Sequence, residues 1–300
     1  MVTIKNKQLL VAEKRSFCMG VQRAVDMLEK VAKEANGKPV YCVHEIVHNP
    51  TVVKLFHRLG VQFIDSVEEL PESGEGIVVF SAHGIPFQVM KDTEAKGFTV
   101  HDATCPLVRK VYRELKDAQE SNATVVYIGK PGHQEAESVK QEAHDLGVEF
   151  HLVSQGNIDS LPEGLDGDIL LFTQTTLNIG KLLPFIDEIK TLYPQIQNQQ
   201  QGDICYATQE RQESIIDIAA KADKVIVIGG SKSSNSRELA RVGGKDSRMG
   251  EGILLEHIEE LDFSFLEGVS VLAFSGGAST PESDIQHAAE YLQQHYGFEL

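Results

Sequence analysis

Four cysteines, Cys18, Cys42, Cys105 and Cys205, are the first candidates for chemistry. No two share a CxxC or similar local spacing, which argues against a zinc finger or ribbon. A free cysteine is ordinarily a small buried hydrophobe. Cys18, Cys105 and Cys205 depart from that pattern because each opens an amphipathic stretch: FCMGVQRAVDMLEKVA, TCPLVRKVYRELKDA and ICYATQERQESIIDIAA. The dipole at a helix N-terminus favours negative charge and so favours the thiolate. Three thiolates suit zinc completed by a fourth ligand. They also suit an iron–sulfur cluster, normally held by four cysteines, in which three would leave one iron open to substrate. Cys42 lies mid-strand in VYCVHE and reads as a core thiol.

A second set of residues sits in polar loops after apolar strands. His48, His83 and His133 each follow a strand, and Glu135 stands two residues beyond His133. Hydroxyls and an amide collect in similar loops: Thr175, Thr176, Ser233, Ser234, Asn235 and Ser279. Each alone is a good helix N-cap. Together they describe neutral donors at helix N-termini, which suits a phosphate or diphosphate. Lys130 and Lys232 are the cations in these loops, and GGSKS lacks the GxxxxGK[ST] spacing of a P-loop.

These residues recur because the elements that carry them recur. After each cysteine-headed helix comes a β-branched strand (Val40–Val43, Thr124–Ile128, Lys224–Ile228) and then a polar loop: HEIVHN, GKPGHQE, GGSKSSNS. Another helix, a short strand and an acidic phrase follow: DSVEELP, GNIDSLP, EHIEELD. A last strand (77–80, 169–172, 269–274) ends in SAHG, TQTT or SGGAS. Strands alternating with helices predict parallel sheets covered by helices, and in such sheets ligands bind beyond the carboxyl ends of the strands. The expected organisation is three similar α/β domains, 1–104, 105–203 and 204–300, carrying Cys18, Cys105 and Cys205 respectively.

Composition bounds the class. The 300 residues are 41% hydrophobic and 24% charged, ordinary for a globular chain. Acids outnumber bases 44 to 28, for a net charge of −16, which disfavours a nucleic-acid binder. The longest apolar runs fall far short of the roughly 20 residues a membrane span needs. The first residues offer no continuous apolar core for a signal peptide. A cytoplasmic location and no membrane partner are expected.

The segments SFCMGVQRA, HEIVHNPTVV, FSAHG, DATCPLVRKV, GHQEAE, TQTTL, DICYATQERQ, SSNS and GGASTPE occur in that order. Their succession resembles the 4-hydroxy-3-methylbut-2-enyl diphosphate reductase family, the last enzymes of the non-mevalonate isoprenoid pathway. The likeness runs from about residue 9 to residue 290. It implies three α/β domains in pseudo-threefold arrangement around a [4Fe-4S] cluster, with Cys18, Cys105 and Cys205 as ligands. It implies that His48, His83, His133, Ser233, Ser234, Asn235 and Ser279 hold the substrate diphosphate or line its pocket. Glu135 matches the catalytic acid, and Thr175 the threonine that contacts the substrate hydroxyl. The implied reaction reduces the allylic alcohol diphosphate to isopentenyl and dimethylallyl diphosphates, with a one-electron donor such as ferredoxin or flavodoxin. A three-cysteine cluster hydro-lyase and a non-enzymatic metal-binding protein are the rival classes.

Three departures stand out. Ser16 and Met19 replace the small residues of the family's GFCAGV. The loop GGSKSSN replaces GGKNSSN and puts Lys232 beside it. Segment 240–252, ARVGGKDSRMGEG, contains a glycine pair expected to interrupt a helix.

Overall fold

The computed structural model describes residues 7–198 and 205–300. The boundary expected at 203/204 lies outside the described residues. The chain opens with β1 (Lys7–Val11), α1 (Met19–Glu34), β2 (Val40–Val43), α2 (Pro50–Arg58), β3 (Val61–Ile64), β4 (Ile77–Phe80), α3 (Phe87–Ala95) and β5 (Thr99–Asp102). It continues with α4 (Pro106–Ser121), β6 (Thr124–Ile128), α5 (Gln134–Asp145), β7 (Phe150–Val153), β8 (Ile169–Thr173), α6 (Ile179–Leu192) and β9 (Ile196–Asn198). The last stretch is α7 (Tyr206–Ala219), β10 (Lys224–Ile228), α8 (Ser234–Asp246), β11 (Glu251–Leu255), β12 (Val271–Gly276), α9 (Glu282–Tyr296) and β13 (Phe298–Glu299).

These strands form three parallel sheets, in the orders β3-β2-β4-β5, β7-β6-β8-β9 and β11-β10-β12-β1-β13. The α/β reading with three similar parallel sheets therefore holds. The first two sheets have identical order. In the third, the place corresponding to β5 and β9 is taken by the first strand of the chain, with Leu9 in register with Leu272. Chain contacts gather into two compact units. One comprises the described parts of Met1–Val21, His48–Val53 and Tyr206–Leu300, and contains the five-stranded sheet. The other comprises Gln22–Val47 and Lys54–Cys205, and contains both four-stranded sheets.

Helix α4 shows how the sequence builds these layers. Pro106 occupies its first turn, where a missing N–H costs nothing, and Asn122 ends it in left-handed conformation at φ 54°. Val108, Val111, Tyr112, Leu115 and Ala118 fall on one face and are buried. Each large side chain there contributes about 1.5–3 kcal/mol by leaving water. Strands β6, β8 and β10 are buried along their whole length, as expected of strands covered on both faces. The three acidic phrases fold as single 3₁₀ turns, Val67–Glu69, Ile158–Ser160 and Ile258–Glu260.

Two expectations need correction. The last strand of the third repeat is shifted two residues, to Val271–Gly276, because Val269 N donates to Leu266 O and closes a turn there. The glycine pair does not interrupt a helix: α8 runs through Gly243 and Gly244. A Cβ on Gly243 would stand 2.9 Å from Ile215 Cγ1, and one on Gly244 only 2.5 Å from the Gly252 backbone nitrogen. The glycines weaken the helix by about 1 kcal/mol each and in exchange let α8 lie directly against α7 and β11. No helix among the described residues is long and apolar enough to cross a membrane.

Candidate functional site

In the unit that holds the five-stranded sheet, a short loop carries Cys18 from β1 into α1. Ser16 bends it at φ 65°, the left-handed region that a side chain disfavours. The buried Arg211 of α7 holds that bend, donating through Nε and Nη2 to the Ser16 carbonyl at 3.2 and 2.7 Å. Cys18 Sγ then accepts from Val21 N at 3.4 Å, so the sulfur sits at the head of α1. Cys18 N donates to Ala278 O at 3.2 Å, and Ala278 N donates to Asn235 Oδ1 at 2.8 Å. A thiol, the β12–α9 loop and the head of α8 are thereby tied in sequence.

The hydroxyl set closes around the same loop. Ser233 caps α8, its Oγ accepting from Ser236 N at 3.2 Å. Ser279 Oγ donates to His48 O at 3.1 Å and lies 3.5 Å from Ser233 Oγ. Gly230 has no room for a side chain, since a Cβ would stand 2.5 Å from His48 O. Ser234 is half-buried at the first position of α8. Asn235 is buried, and its Nδ2 has no hydrogen-bond partner among the described residues. A buried amide donor left unpaired is costly, and an anion is the natural partner for it. The structure thus brings together His48, Ser233, Asn235 and Ser279.

In the other unit, Glu135 lies in the first turn of α5 and is buried. Thr175 reaches it twice: its N–H donates to Oε1 at 2.8 Å and its hydroxyl to Oε2 at 2.6 Å. Tyr127 Oη donates to Oε1 at 3.2 Å. Burial pushes the Glu135 carboxyl above the ordinary glutamate value, and the Thr175 hydroxyl, the Thr175 N–H and Tyr127 only partly oppose it. His133 caps α5, with Nδ1 accepting from Glu135 N at 3.2 Å. The His83 ring lies 6.3 Å from that of His133, nearly perpendicular to it. Thr176 Oγ1 accepts from Gln174 Nε2 at 2.7 Å, while Gln174 Oε1 takes Lys130 N.

Cys105 stands at the N-cap position of α4 without a side-chain capping bond, and its own N–H donates to Ala82 O at 3.0 Å. The turn before it is braced by Asp102, which accepts from Thr104 N and pairs with Arg109, while Arg23 Nη1 donates to Thr104 O at 3.0 Å. Cys205 immediately precedes α7. Cys18, Cys105 and Cys205 are half-buried, whereas Cys42 is fully buried and burial drives its thiol pKa up. Cys18 belongs to one compact unit, and Cys105 and Cys205 to the other. Among the described residues no three of His, Cys, Asp or Glu form a group able to hold a single metal ion. The donor chemistry nevertheless fits an iron–sulfur cluster: three accessible thiols, each at a helix head, and one inert thiol set apart.

Sequence reading overlooked Arg211, Tyr127 and Gln174. Arg211 is a cation on the buried face of α7, an anomaly by itself. Tyr127 is the one aromatic side chain in the strand TVVYI. Gln174 carries no such signal.

The chain is similar to known proteins along nearly its whole length. The model of the LytB protein family matches residues 9–293. A 4-hydroxy-3-methylbut-2-enyl diphosphate reductase of Actinobacillus pleuropneumoniae is 37% identical over 288 residues, covering 95% of this chain and 90% of the relative. The reductase of Corynebacterium diphtheriae is 39% identical over 289 residues, covering 96% and 85%. The solved E-1-hydroxy-2-methyl-but-2-enyl-4-diphosphate reductase of Plasmodium falciparum superposes with a TM-score of 0.90 at 32% identity, covering 98% of this chain and 91% of that one. A second solved structure, of (E)-4-hydroxy-3-methyl-but-2-enyl diphosphate reductase, gives 0.67 at 30% identity, covering 96% and 99%. With the family model and these relatives agreeing along nearly its whole length, the chain belongs to the LytB family, the 4-hydroxy-3-methylbut-2-enyl diphosphate reductases.

Proposed function

We propose that this chain converts (E)-4-hydroxy-3-methylbut-2-enyl diphosphate to isopentenyl and dimethylallyl diphosphates, releasing the hydroxyl as water. Replacing an allylic C–O bond by C–H consumes two electrons and two protons; one proton leaves in the water and one ends on carbon. A [4Fe-4S] cluster held by Cys18, Cys105 and Cys205 would supply single electrons and a Lewis-acidic iron. The electrons would come from a one-electron donor such as ferredoxin or flavodoxin.

The chain's own residues do the remainder. His48, Ser233, Ser234, Asn235 and Ser279 hold the diphosphate through neutral or histidine donors, and His83 and His133 are further substrate-binding residues in this reading. Glu135 stores the proton that makes the hydroxyl a leaving group, and Thr175 orients that hydroxyl and passes the proton. Protonation of the resulting allyl anion at either end accounts for two products. The observation that best supports this reading is the buried Glu135 carboxyl, held 2.6 Å from the Thr175 hydroxyl and raised in pKa by burial. A general acid of this kind contributes roughly 10²–10⁴-fold to rate. In an anaerobic assay with reconstituted protein, a chemical reductant and the allylic diphosphate, both products should form. Glu135→Gln should lower turnover by at least the lower end of that range while retaining iron. Near-normal turnover in that variant would remove Glu135 as the acid.

A further inference from the structure

We propose that Tyr127 is a positioning residue for Glu135: it occupies Oε1 and thereby makes Oε2 the oxygen that carries the acid proton, facing Thr175. This rests on the reading of Glu135 as the acid. Oε1 already accepts the Thr175 backbone N–H at 2.8 Å, a donor that cannot be withdrawn or reversed. The Tyr127 hydroxyl adds a second donor at 3.2 Å. An oxygen receiving two donors has no place for a proton of its own. Oε2 faces the Thr175 hydroxyl at 2.6 Å, a pair that can reverse direction. With Glu135 ionised, Thr175 donates to Oε2. With Glu135 protonated, Oε2–H donates to Thr175, whose own hydrogen turns outward.

Tyr127 is held for this task. It is fully buried in β6, with its ring 5.8 Å from that of Phe150. Gly129 is glycine because a Cβ there would stand 2.6 Å from Tyr127 Cε1. The other groups around the carboxyl come from three places. His133 receives the Glu135 N–H, and Ser138 of α5 donates to the Glu135 and His83 carbonyls. Tyr112 of α4 lies within electrostatic reach of the carboxyl, and Arg109 of α4 and Glu142 of α5 in turn act on Tyr112. Tyr127→Phe alters none of these and keeps the ring.

The test is infrared difference spectroscopy of the holoenzyme across pH, with the protonated carboxyl band assigned by its loss in Glu135→Gln. In Tyr127→Phe the band should move to higher wavenumber, because Oε1 has lost a donor. A donor to the carboxylate favours the ionised form, so its removal should raise the Glu135 pKa. Only the protonated acid works, so the alkaline limb of kcat should move up by the same amount. The melting temperature should stay close to that of the parent. An unmoved band and limb would overturn the proposal. So would a loss of kcat that is uniform with pH while the band stays still, since that is what a space-filling ring would give. If Glu135→Gln erases the band but leaves turnover intact, the acid reading fails, and the band position in Tyr127→Phe still decides the contact.

Discussion

Burial separates the four cysteines before any cofactor is considered. Cys42 is enclosed in β2 between β3 and β4, with no exposed surface and a thiol pKa driven up. Cys18, Cys105 and Cys205 keep partial exposure at helix heads, where the dipole favours the thiolate. A metal-free sample treated with an alkylating reagent under native conditions should therefore label three thiols and spare Cys42, as peptide mass mapping would show. After anaerobic reconstitution, replacing any of the three by Ser should strip most of the iron, while Cys42→Ala should leave it. Iron lost from the Cys42 variant, with stability unchanged, would mean that the ligand set is wrong.

Elements position these residues through close approaches that cost propensity. Gly244 shows this best, because Ala is ordinarily the better helix former by about 1 kcal/mol. Here an added methyl would meet the Gly252 backbone at 2.5 Å, and backbone cannot swing aside. Gly244→Ala should therefore destabilise the protein by about 1–3 kcal/mol, measured by chemical denaturation; a gain in stability would mean that α8 and β11 are not in contact there. The same residues show what the sequence could tell. Strand and helix positions were legible because apolar periodicity and capping are local signals, as with Pro106 and Val108 in α4. The continuity of α8 was not, because the reason for Gly243 and Gly244 lies in close approaches to Ile215 of α7 and Gly252 of β11, outside the helix itself. The placement of β1 in the last sheet was hidden for the same reason: its partner is β12. In the candidate site, cysteines and histidines stood out by type and repetition, and Glu135 by its place beside His133 and by the family resemblance. Tyr127 and Arg211 act through partners that no spacing rule connects.

For the whole molecule, a net charge of −16 sets a constraint on any diphosphate ligand. The long-range field repels it, so affinity has to come from short-range donors. Those proposed here include one histidine and three neutral groups gathered in one compact unit: His48, Ser233, Asn235 and Ser279, with Asn235 Nδ2 unpaired among the described residues. A cradle of lysines and arginines would lose affinity steeply as salt screens it. Hydrogen bonds at contact distance are screened little, whereas repulsion acting beyond the Debye length, about 8 Å at physiological ionic strength, is largely removed. Calorimetric titration with inorganic diphosphate should therefore show affinity that is flat or rising from low salt to physiological salt. Ser279→Ala should weaken it about ten- to hundredfold, because a hydrogen bond to a charged group is worth roughly 1.5–3 kcal/mol. The salt profile of that variant should stay flat, since a neutral donor has been removed and no charge. A steep fall in affinity with salt in the parent protein would instead assign the anion to cations such as Lys232 and Arg237, and the neutral cradle would be refuted.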